Sequence, residues 1–361
     1  MDQQQITKVL PALYSGMFPP FFSGTIPAET LATCGNCAMA APDSQGQNPE
    51  YYRPELKCCT YFPGLPNYLV GGILSAPSLV QGKARITARI NGRTGVTPFG
   101  IFPSRKRQAL YQHGRQGFGR SQFLLCPYLD RESGSCTIWP FRDAVCSTFY
   151  CKHAAGIEGK LFWNGMKDYL SLVEQALSQH VLRELGWDPA QLRKWNRERQ
   201  DNRADQQLTA RDLDDAPPDD AEWRGTWGAW TGTVEEFYIE AYRRTGAVDA
   251  RQLRELGGVF LAVGLDNLEL LRKEMLEPVL PDPLQRAPEL KVTMLGDGKV
   301  RLISEEGPFE VAEVVYRVLD LFDGRTPTRD VLKAAAEKFD VAISPDFLVV
   351  FYHNRLLAKP K

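Results

Sequence analysis

The sequence predicts an α+β protein: an irregular, cysteine-rich, metal-stabilised domain with packed helices, followed by a small C-terminal domain. Three patterns predict this fold. All eight cysteines fall before residue 152, in segments rich in turn-forming residues. An apolar stripe at three- and four-residue spacing follows at 165–185, which is typical of an amphipathic helix. After residue 288, two short strand-like runs precede three helical faces.

The composition is that of a globular protein rather than a membrane or secreted one. The chain has 361 residues, of which 43% are hydrophobic and 24% charged, enough for two or three domains with buried cores. No run of about 18 apolar residues predicts a membrane span. The N-terminus lacks the pattern of a signal peptide, and prolines interrupt 11–27. We therefore expect a cytoplasmic protein without a membrane partner.

The cysteines are the candidate metal ligands. In a large chain without a signal peptide, thiols are more often metal ligands or catalytic groups than disulfide partners. The Cys-Gly-Asn-Cys run at 34–37 has the spacing that lets one turn direct two sulfurs at one cation. The two adjacent cysteines point to opposite faces if the chain is extended, so we expect them to differ in role. The eight are Cys34, Cys37, Cys58, Cys59, Cys126, Cys136, Cys146 and Cys151.

Thiolate chemistry narrows the cofactor to zinc or iron, including an iron–sulfur cluster, because soft sulfur ligands disfavour magnesium and calcium. Eight thiols could form two four-coordinate sites, or one cluster with spare thiols. The alternative is that some are buried apolar side chains, a common environment for cysteine. His113 and His153 could each replace a thiolate, although we expect surface or supporting positions for both.

The later cysteines carry a family resemblance. The residues that carry it are Cys126-Pro-Tyr-Leu, Gly134-Ser-Cys136-Thr-Ile, Cys146 and Cys151. With them, the sequence resembles the YkgJ-type cysteine-cluster family, a zinc- or iron-chelating domain named for a Cys-x-x-Cys-x-x-Cys-Cys signature. The match covers about residues 34–185. It implies that the cysteines bind metal, and that these four are the first choice as ligands.

The front of the domain departs from that family pattern. Twenty residues separate Cys37 from Cys58 and Cys59, where the family has about two. Phe141-Arg142-Asp143 also replaces the Arg-Pro turn of the family. The resemblance therefore leaves open which cysteines share a site.

A stretch without acidic residues lies beside the cysteines. Residues 56–129 contain no aspartate or glutamate but ten lysines and arginines. These cations could stabilise a thiolate site, or they could form a face that attracts phosphate or nucleic acid. Within the stretch, 83–93 is compatible with a strand or irregular structure, and 114–120 with a flexible loop. The aromatic residues could stack on bases or belong to the core; they are Phe99, Phe102, Tyr111 and Phe118.

The remaining chain is predicted to be largely helical. Thr233-Val-Glu-Glu236 has the pattern of a capping box at the start of a helix, and 250–271 continues in helix. We expect these domain boundaries: an N-terminal extension at 1–30, the cysteine-cluster domain at 31–200, an acidic, proline-containing linker or loop at 201–222, a helical segment packing on the cysteine domain at 223–288, and the C-terminal module at 289–361.

The C-terminal module is predicted as a β-hairpin, with strands at 291–295 and 300–304, followed by three helices. With its Asp-Gly-Arg-Thr turn at 323–326 and the closing Arg355-Leu-Leu, it resembles the PqqD-like winged-helix module, which binds leader peptides of ribosomally made natural products. Residues 290–361 have eleven lysines and arginines against eleven acidic residues. This balance favours a protein or peptide partner over DNA.

Three functions follow as hypotheses. The first is a metal-binding cysteine-cluster protein whose C-terminal module contacts a protein or peptide. The second is an iron–sulfur-dependent enzyme that modifies proteins, because the flagellin lysine methylases belong to the same broad cysteine-cluster group; the sequence assigns no catalytic residue. The third is nucleic-acid binding through the basic stretch 57–120, which the overall net charge of −1 does not support.

Overall fold

The computed structural model of the chain describes residues 3–29, 39, 51–194 and 207–360. Helices and strands are both present, so the predicted α+β class is confirmed. In the described residues the labelled α-helices are α1 (Asn67–Ser75), α2 (Val80–Gly92), α3 (Arg105–His113), α4 (Ala144–Thr148), α5 (Gly156–Glu184), α6 (Ala210–Leu213), α7 (Asp220–Trp227), α8 (Val234–Thr245), α9 (Ala250–Leu276), α10 (Glu313–Leu319), α11 (Thr328–Phe339) and α12 (Pro345–His353).

The strands form small antiparallel sheets. One sheet pairs β1 with β2, another has the order β3-β5-β4, a third pairs β10 with β6, and the largest has the order β7-β8-β9. The strands are β1 (Gln3–Gln5), β2 (Thr25–Pro27), β3 (Leu65–Pro66), β4 (Val96–Thr97), β5 (Gly100–Ile101), β6 (Gln285–Arg286), β7 (Lys291–Gly296), β8 (Lys299–Ser304), β9 (Gly307–Ala312) and β10 (Leu357–Ala358).

Helix α5 is the amphipathic helix expected at 165–185, and it begins nine residues earlier, at Gly156. Its predicted apolar stripe is buried throughout. Leu185 and Gly186 follow the helix, and Gly186 has a φ of +85°, which suits the glycine expected to end it. The stripe packs against α9 and α4, so the helix is the central support of the cysteine-bearing segments. Its members are Met166, Tyr169, Leu170, Val173, Leu177 and Val181.

A glycine allows α1 and α8 to pack at very close range. A Cβ atom on Gly71 of α1 would lie 1.8 Å from the carbonyl oxygen of Tyr238 in α8. Backbone atoms cannot move aside as the end of a flexible side chain can. The contact between these two helices therefore requires glycine at this position.

We expect Gly71→Ala to lower the free energy of unfolding by about 1–3 kcal/mol, the usual cost of forcing extra atoms into a packed core. Gly92→Ala is the matched control, because a Cβ at Gly92 in α2 meets no atom within 4 Å. It should leave stability unchanged or raise it by up to about 1 kcal/mol. Urea titrations compare the two variants, and equal midpoints would contradict the proposed helix contact.

The segment 83–93, expected as a strand or irregular structure, is instead helical and forms most of α2. Ile86 and Ile90 are four residues apart, which places them on one helical face, and both are buried. The cationic residues of 83–93 had suggested alternation with these isoleucines along a strand. The helical period of the two isoleucines was the more informative signal.

The predicted linker at 201–222 is only partly described. From residue 207 onward it contains α6 and the start of α7, so this part is not a plain loop. Arg105 Nη1 lies 2.8 Å from Asp212 Oδ2 and ties α6 to α3. The helix expected after Thr233 is present as α8, but the Thr233 side chain makes no capping hydrogen bond, so the predicted capping box is wrong.

The C-terminal module has a three-stranded sheet, β7-β8-β9, where a two-stranded hairpin was predicted. The turn between β7 and β8 is the expected one, and β9 pairs with β8 from Gly307 to Ala312. Val311 is spaced from Val314 and Val315 as on a helical face, but it lies in β9. Three helices follow as expected. Buried side chains of the sheet and helices form a separate core that includes Val300, Leu302 and Phe322.

The C-terminal module contacts the segment that follows the last cysteine. Lys152 Nζ donates a hydrogen bond of 2.7 Å to the carbonyl oxygen of Pro308 in β9, and it lies 5.2 Å from the centre of the Phe309 ring. His353 Nδ1 of α12 contacts the Glu158 carboxylate of α5. These contacts place β9 and α12 beside the loop between Cys151 and α5.

The described residues include no helix that is both long enough and apolar enough to cross a membrane.

Candidate metal centre

Cys58 and Cys59 lie in a tight series of turns. The Cys59 amide donates to the carbonyl oxygen of Leu56, and Lys57 adopts a φ of +53°, so the chain is not extended at the cysteine pair. The carbonyl oxygen of Cys59 accepts a hydrogen bond of 2.7 Å from the amide of Cys126. The turn thereby brings a cysteine 67 positions later against the adjacent pair.

Cys126 and Cys136 flank a short reversal of the chain. Leu129 and Cys136 form an isolated antiparallel bridge, and the amide of Thr137 donates to the carbonyl oxygen of Tyr128 at 2.9 Å. Gly134 takes a φ of +64° in the turn, a conformation that glycine adopts without strain. The reversal brings the two cysteine-bearing segments side by side.

Cys146 lies on α4, and its backbone amide is bound by the helix N-cap. Asp143 Oδ1 accepts a hydrogen bond of 2.9 Å from that amide. Arg142 Nη1 donates to the carbonyl oxygen of Cys146 at 2.9 Å. The Phe-Arg-Asp sequence that replaces the Arg-Pro turn therefore supplies both the N-cap and an arginine that holds the cysteine backbone.

The six described cysteines converge. Five of them line one cavity of about 300 Å³, although they are spread from residue 58 to residue 146. The five are Cys58, Cys59, Cys126, Cys136 and Cys146. The sixth, Cys151, is hydrogen-bonded to Cys58. None of these six forms a disulfide bond. The later four cysteines, the first choice as ligands, thus meet the adjacent pair at one place.

Hydrogen bonding makes the sulfurs unequal. Hydrogen bonds from Cys151 and Cys59 hold the pKa of Cys58 well below its usual value, and the charge of Arg142 acts in the same direction. Donation to Cys58 raises the pKa of Cys59. Burial raises the pKa of Cys126 to about 12. Among Cys58, Cys59 and Cys126, Cys58 is therefore the sulfur most ready to be a thiolate, which supports the expectation that the adjacent cysteines differ.

Several cationic side chains of the acid-free stretch donate hydrogen bonds to backbone carbonyl oxygens of the loops. Lys57 Nζ donates to the carbonyl oxygen of Gly134 at 3.0 Å, which joins the Cys58 turn to the Cys136 turn. Arg85 donates to the carbonyl oxygen of Pro127, and Arg107 donates to that of Leu125. These carbonyls flank Cys126. The cations therefore fix the loops that carry the cysteines.

Sequence reasoning did not predict the aromatic side of this cavity. Tyr111 and Phe118 were noted only as possible base-stacking or core residues, and both line the cavity. The exposed rings of Trp139 and Phe149 were missed because their roles depend on the fold of the cysteine loops. Phe99, by contrast, is a buried core residue. The 114–120 segment, expected as a loop near the site, contributes Phe118.

The two histidines near the cysteines do not line the cavity in the described residues. His113 is exposed at the end of α3. His153 follows Cys151, and burial lowers its pKa to about 4. These positions agree with the surface or supporting roles expected for them.

Cys34 and Cys37 lie outside the described residues. Among residues 3–29, 39, 51–194 and 207–360, no three His, Cys, Asp or Glu side chains are arranged so that they could hold a metal ion. The fold therefore confirms the α+β class of this domain but not its predicted stabilisation by metal. Five thiols nevertheless line part of one cavity, and thiolates are ligands that thiophilic metals prefer.

Comparison of the chain with models of protein families, with curated proteins and with solved structures finds no match. The function must therefore be argued from the cysteine cavity itself.

Proposed function

We propose that this protein binds a thiolate-ligated metal centre in the cavity lined by Cys58, Cys59, Cys126, Cys136 and Cys146. The observation that carries the proposal is the convergence of these five thiols on one cavity, with Cys151 against Cys58. Isolated buried cysteines would have no reason to gather from four separate segments of the chain. Cys34 and Cys37 stay candidate ligands by their spacing alone.

An iron–sulfur cluster suits the cavity better than a single zinc ion. In a zinc site, four sulfurs lie about 2.3 Å from one ion and leave little space between them. Here five thiols line part of a cavity of about 300 Å³, which is roughly ten times the volume that one water molecule occupies in the liquid. A cluster with several irons and sulfides is a larger body, held by cysteine thiolates.

Cationic side chains near the cysteines support a negatively charged metal centre. Arg142, Arg107 and Lys57 contact backbone groups directly beside the cysteine positions. A four-thiolate site carries net negative charge, which nearby cations stabilise. The same side chains also hold the loops in place, which limits the reorganisation needed when metal binds.

Metal analysis and absorption spectra of anaerobically purified protein test the proposal. We expect one or two metal centres per chain, and a brown species absorbing near 400 nm if the centre is iron–sulfur. A colourless protein with stoichiometric zinc would retain the metal-binding function and exclude the cluster. Protein that contains neither zinc nor iron would refute the proposal.

A second candidate is an iron–sulfur-dependent, protein-modifying enzyme. The observation that favours it is the contact between Lys152 and β9, which joins the C-terminal module to the residue that follows Cys151. A protein or peptide held by the module would then lie near a reactive centre. Reversible bleaching of the absorption by dithionite would favour this candidate, whereas a redox-inert zinc centre would exclude it.

Nucleic-acid binding is the weaker alternative. Several cations in 57–120 are already bound to carbonyl oxygens or carboxylates, including Arg93 with Asp220 and Arg105 with Asp212. This leaves less positive charge for phosphates. Retention on a phosphate-bearing column that persists at moderate salt would reverse this ranking.

We also propose that the protein works in a reducing compartment, the cytoplasm, because none of its six described cysteines forms a disulfide bond.

A further inference from the structure

The cysteine cavity has a second wall made of aromatic rings. Tyr61 and Tyr111 pack edge to face with ring centres 5.4 Å apart. Phe118 and Phe149 do the same at 5.6 Å. Tyr128 and Trp139 complete this wall. The six rings thus line the same cavity as the five thiols.

This cavity is not closed. Trp139 is 39% exposed and Phe149 is 37% exposed, so solvent reaches the cavity lining at these rings. A solvent-accessible aromatic wall has the character of a small-molecule pocket, which is apolar with few polar groups.

We infer that the cavity admits an uncharged ligand bearing a single aromatic ring, which packs on the aromatic wall and faces the cysteine wall. This inference deepens the proposed function, because it makes the metal centre accessible to an organic ligand. The ring itself is recognised by the aromatic side chains, so its binding can be measured separately from the metal.

The charges of the lining favour an uncharged ligand. Among the described residues that line the cavity, no aspartate or glutamate is present to pair with a cation. The guanidinium of Arg142 lies 3.5 Å from the centre of the Trp139 ring and donates to the carbonyl oxygens of Trp139 and Cys146. The position over Trp139 that a cationic ligand would occupy is therefore already taken by Arg142.

The size of the cavity favours one ring. Small-molecule sites range from about 300 to 1,000 Å³, and this cavity lies at the lower limit. A metal centre on the cysteine wall would take part of that space. The remainder suits a single ring with edge-to-face partners on Phe118, Phe149 and Tyr111, the arrangement that aromatic groups prefer.

The ring could belong to a free small molecule or to a side chain of a polypeptide. Two fluorinated probes distinguish these sources by fluorine NMR. One is fluorobenzene, and the other is a blocked, uncharged pentapeptide with 4-fluorophenylalanine at its centre. Full-length protein is used as purified anaerobically, and its metal content and absorption are measured on the same sample.

We expect saturable line broadening of at least one probe. Val145→Trp should weaken binding at least about tenfold, because Val145 lines the cavity and the larger side chain occupies it. Val80→Trp is the matched control, since Val80 on α2 is exposed and outside the cavity lining. It should leave probe binding unchanged.

A second variant protects the test against a misfolded Val145→Trp protein. Phe149→Ala removes an exposed ring from the aromatic wall and should weaken binding about threefold to tenfold. Failure of both probes to bind, or unchanged binding in both folded cavity variants, would overturn the inference even if metal is present. Probe binding to protein without metal would support the ring site and refute the metal centre.

Discussion

Replacing Cys58 by serine is expected to remove the proposed metal centre. Cys58 contacts both Cys59 and Cys151, so it connects the front pair of cysteines to the last one. Its pKa is held low by these hydrogen bonds, which favours the thiolate that a metal requires. A serine hydroxyl stays protonated at neutral pH and is a harder ligand. We expect metal content to fall at least about tenfold.

The measurement is metal per chain, together with the absorption spectrum of anaerobically purified protein. Thr137→Ser is the matched control, because residue 137 is adjacent to Cys136 and a serine keeps the hydroxyl that bonds the carbonyl oxygen of Tyr128. It should bind metal as the unmodified protein does. A Cys58→Ser protein with full metal content and an unchanged spectrum would show that Cys58 is not a ligand.

The sequence predicted the parts of this protein that depend on local pattern. The stripe from Met166 to Val181 indicated α5 because its spacing repeats over four turns. The turn between Lys291 and Ser304 indicated a hairpin because the strands are adjacent in the chain. Strand β9 was missed because Val311 lies three and four residues before Val314 and Val315. This spacing also suits one face of a helix.

The candidate site was predicted by residue type but not by arrangement. Cysteine content indicated a thiolate site, yet the meeting of Cys59 with Cys126 depends on a hydrogen bond across 67 positions. The aromatic wall depends on the same loop packing. The basic stretch was ambiguous for a related reason: only the fold shows that Arg85 and Arg107 bind carbonyl oxygens near Cys126.

The C-terminal module is expected to stabilise the metal centre through Lys152. The side chain of Lys152 joins β9 by its hydrogen bond to Pro308 and its position over Phe309. The preceding residue, Cys151, is hydrogen-bonded to Cys58. Movement of the module relative to α5 would therefore change the position of Cys151. This path connects a partner on the module to the proposed centre.

Lys152→Met keeps the length of the side chain but removes its hydrogen bond and charge. We expect metal transfer to an added chelator to become about tenfold faster, the lower end of the effect of removing a group that orients a ligand. Thermal unfolding should change little, because Lys152 is half-buried and outside the apolar core. A change in the absorption spectrum would show that the centre itself has been disturbed.

Lys167→Met is the control for the loss of a lysine from the same region. Lys167 lies on α5 and pairs with Asp168 at 3.0 Å. Such an exposed pair contributes about 0–1 kcal/mol, so this variant should release metal at the original rate. If Lys152→Met and Lys167→Met release metal equally slowly, the C-terminal module does not hold Cys151. Faster release in Lys152→Met alone, without a shift in thermal unfolding, would separate support of the centre from general stability.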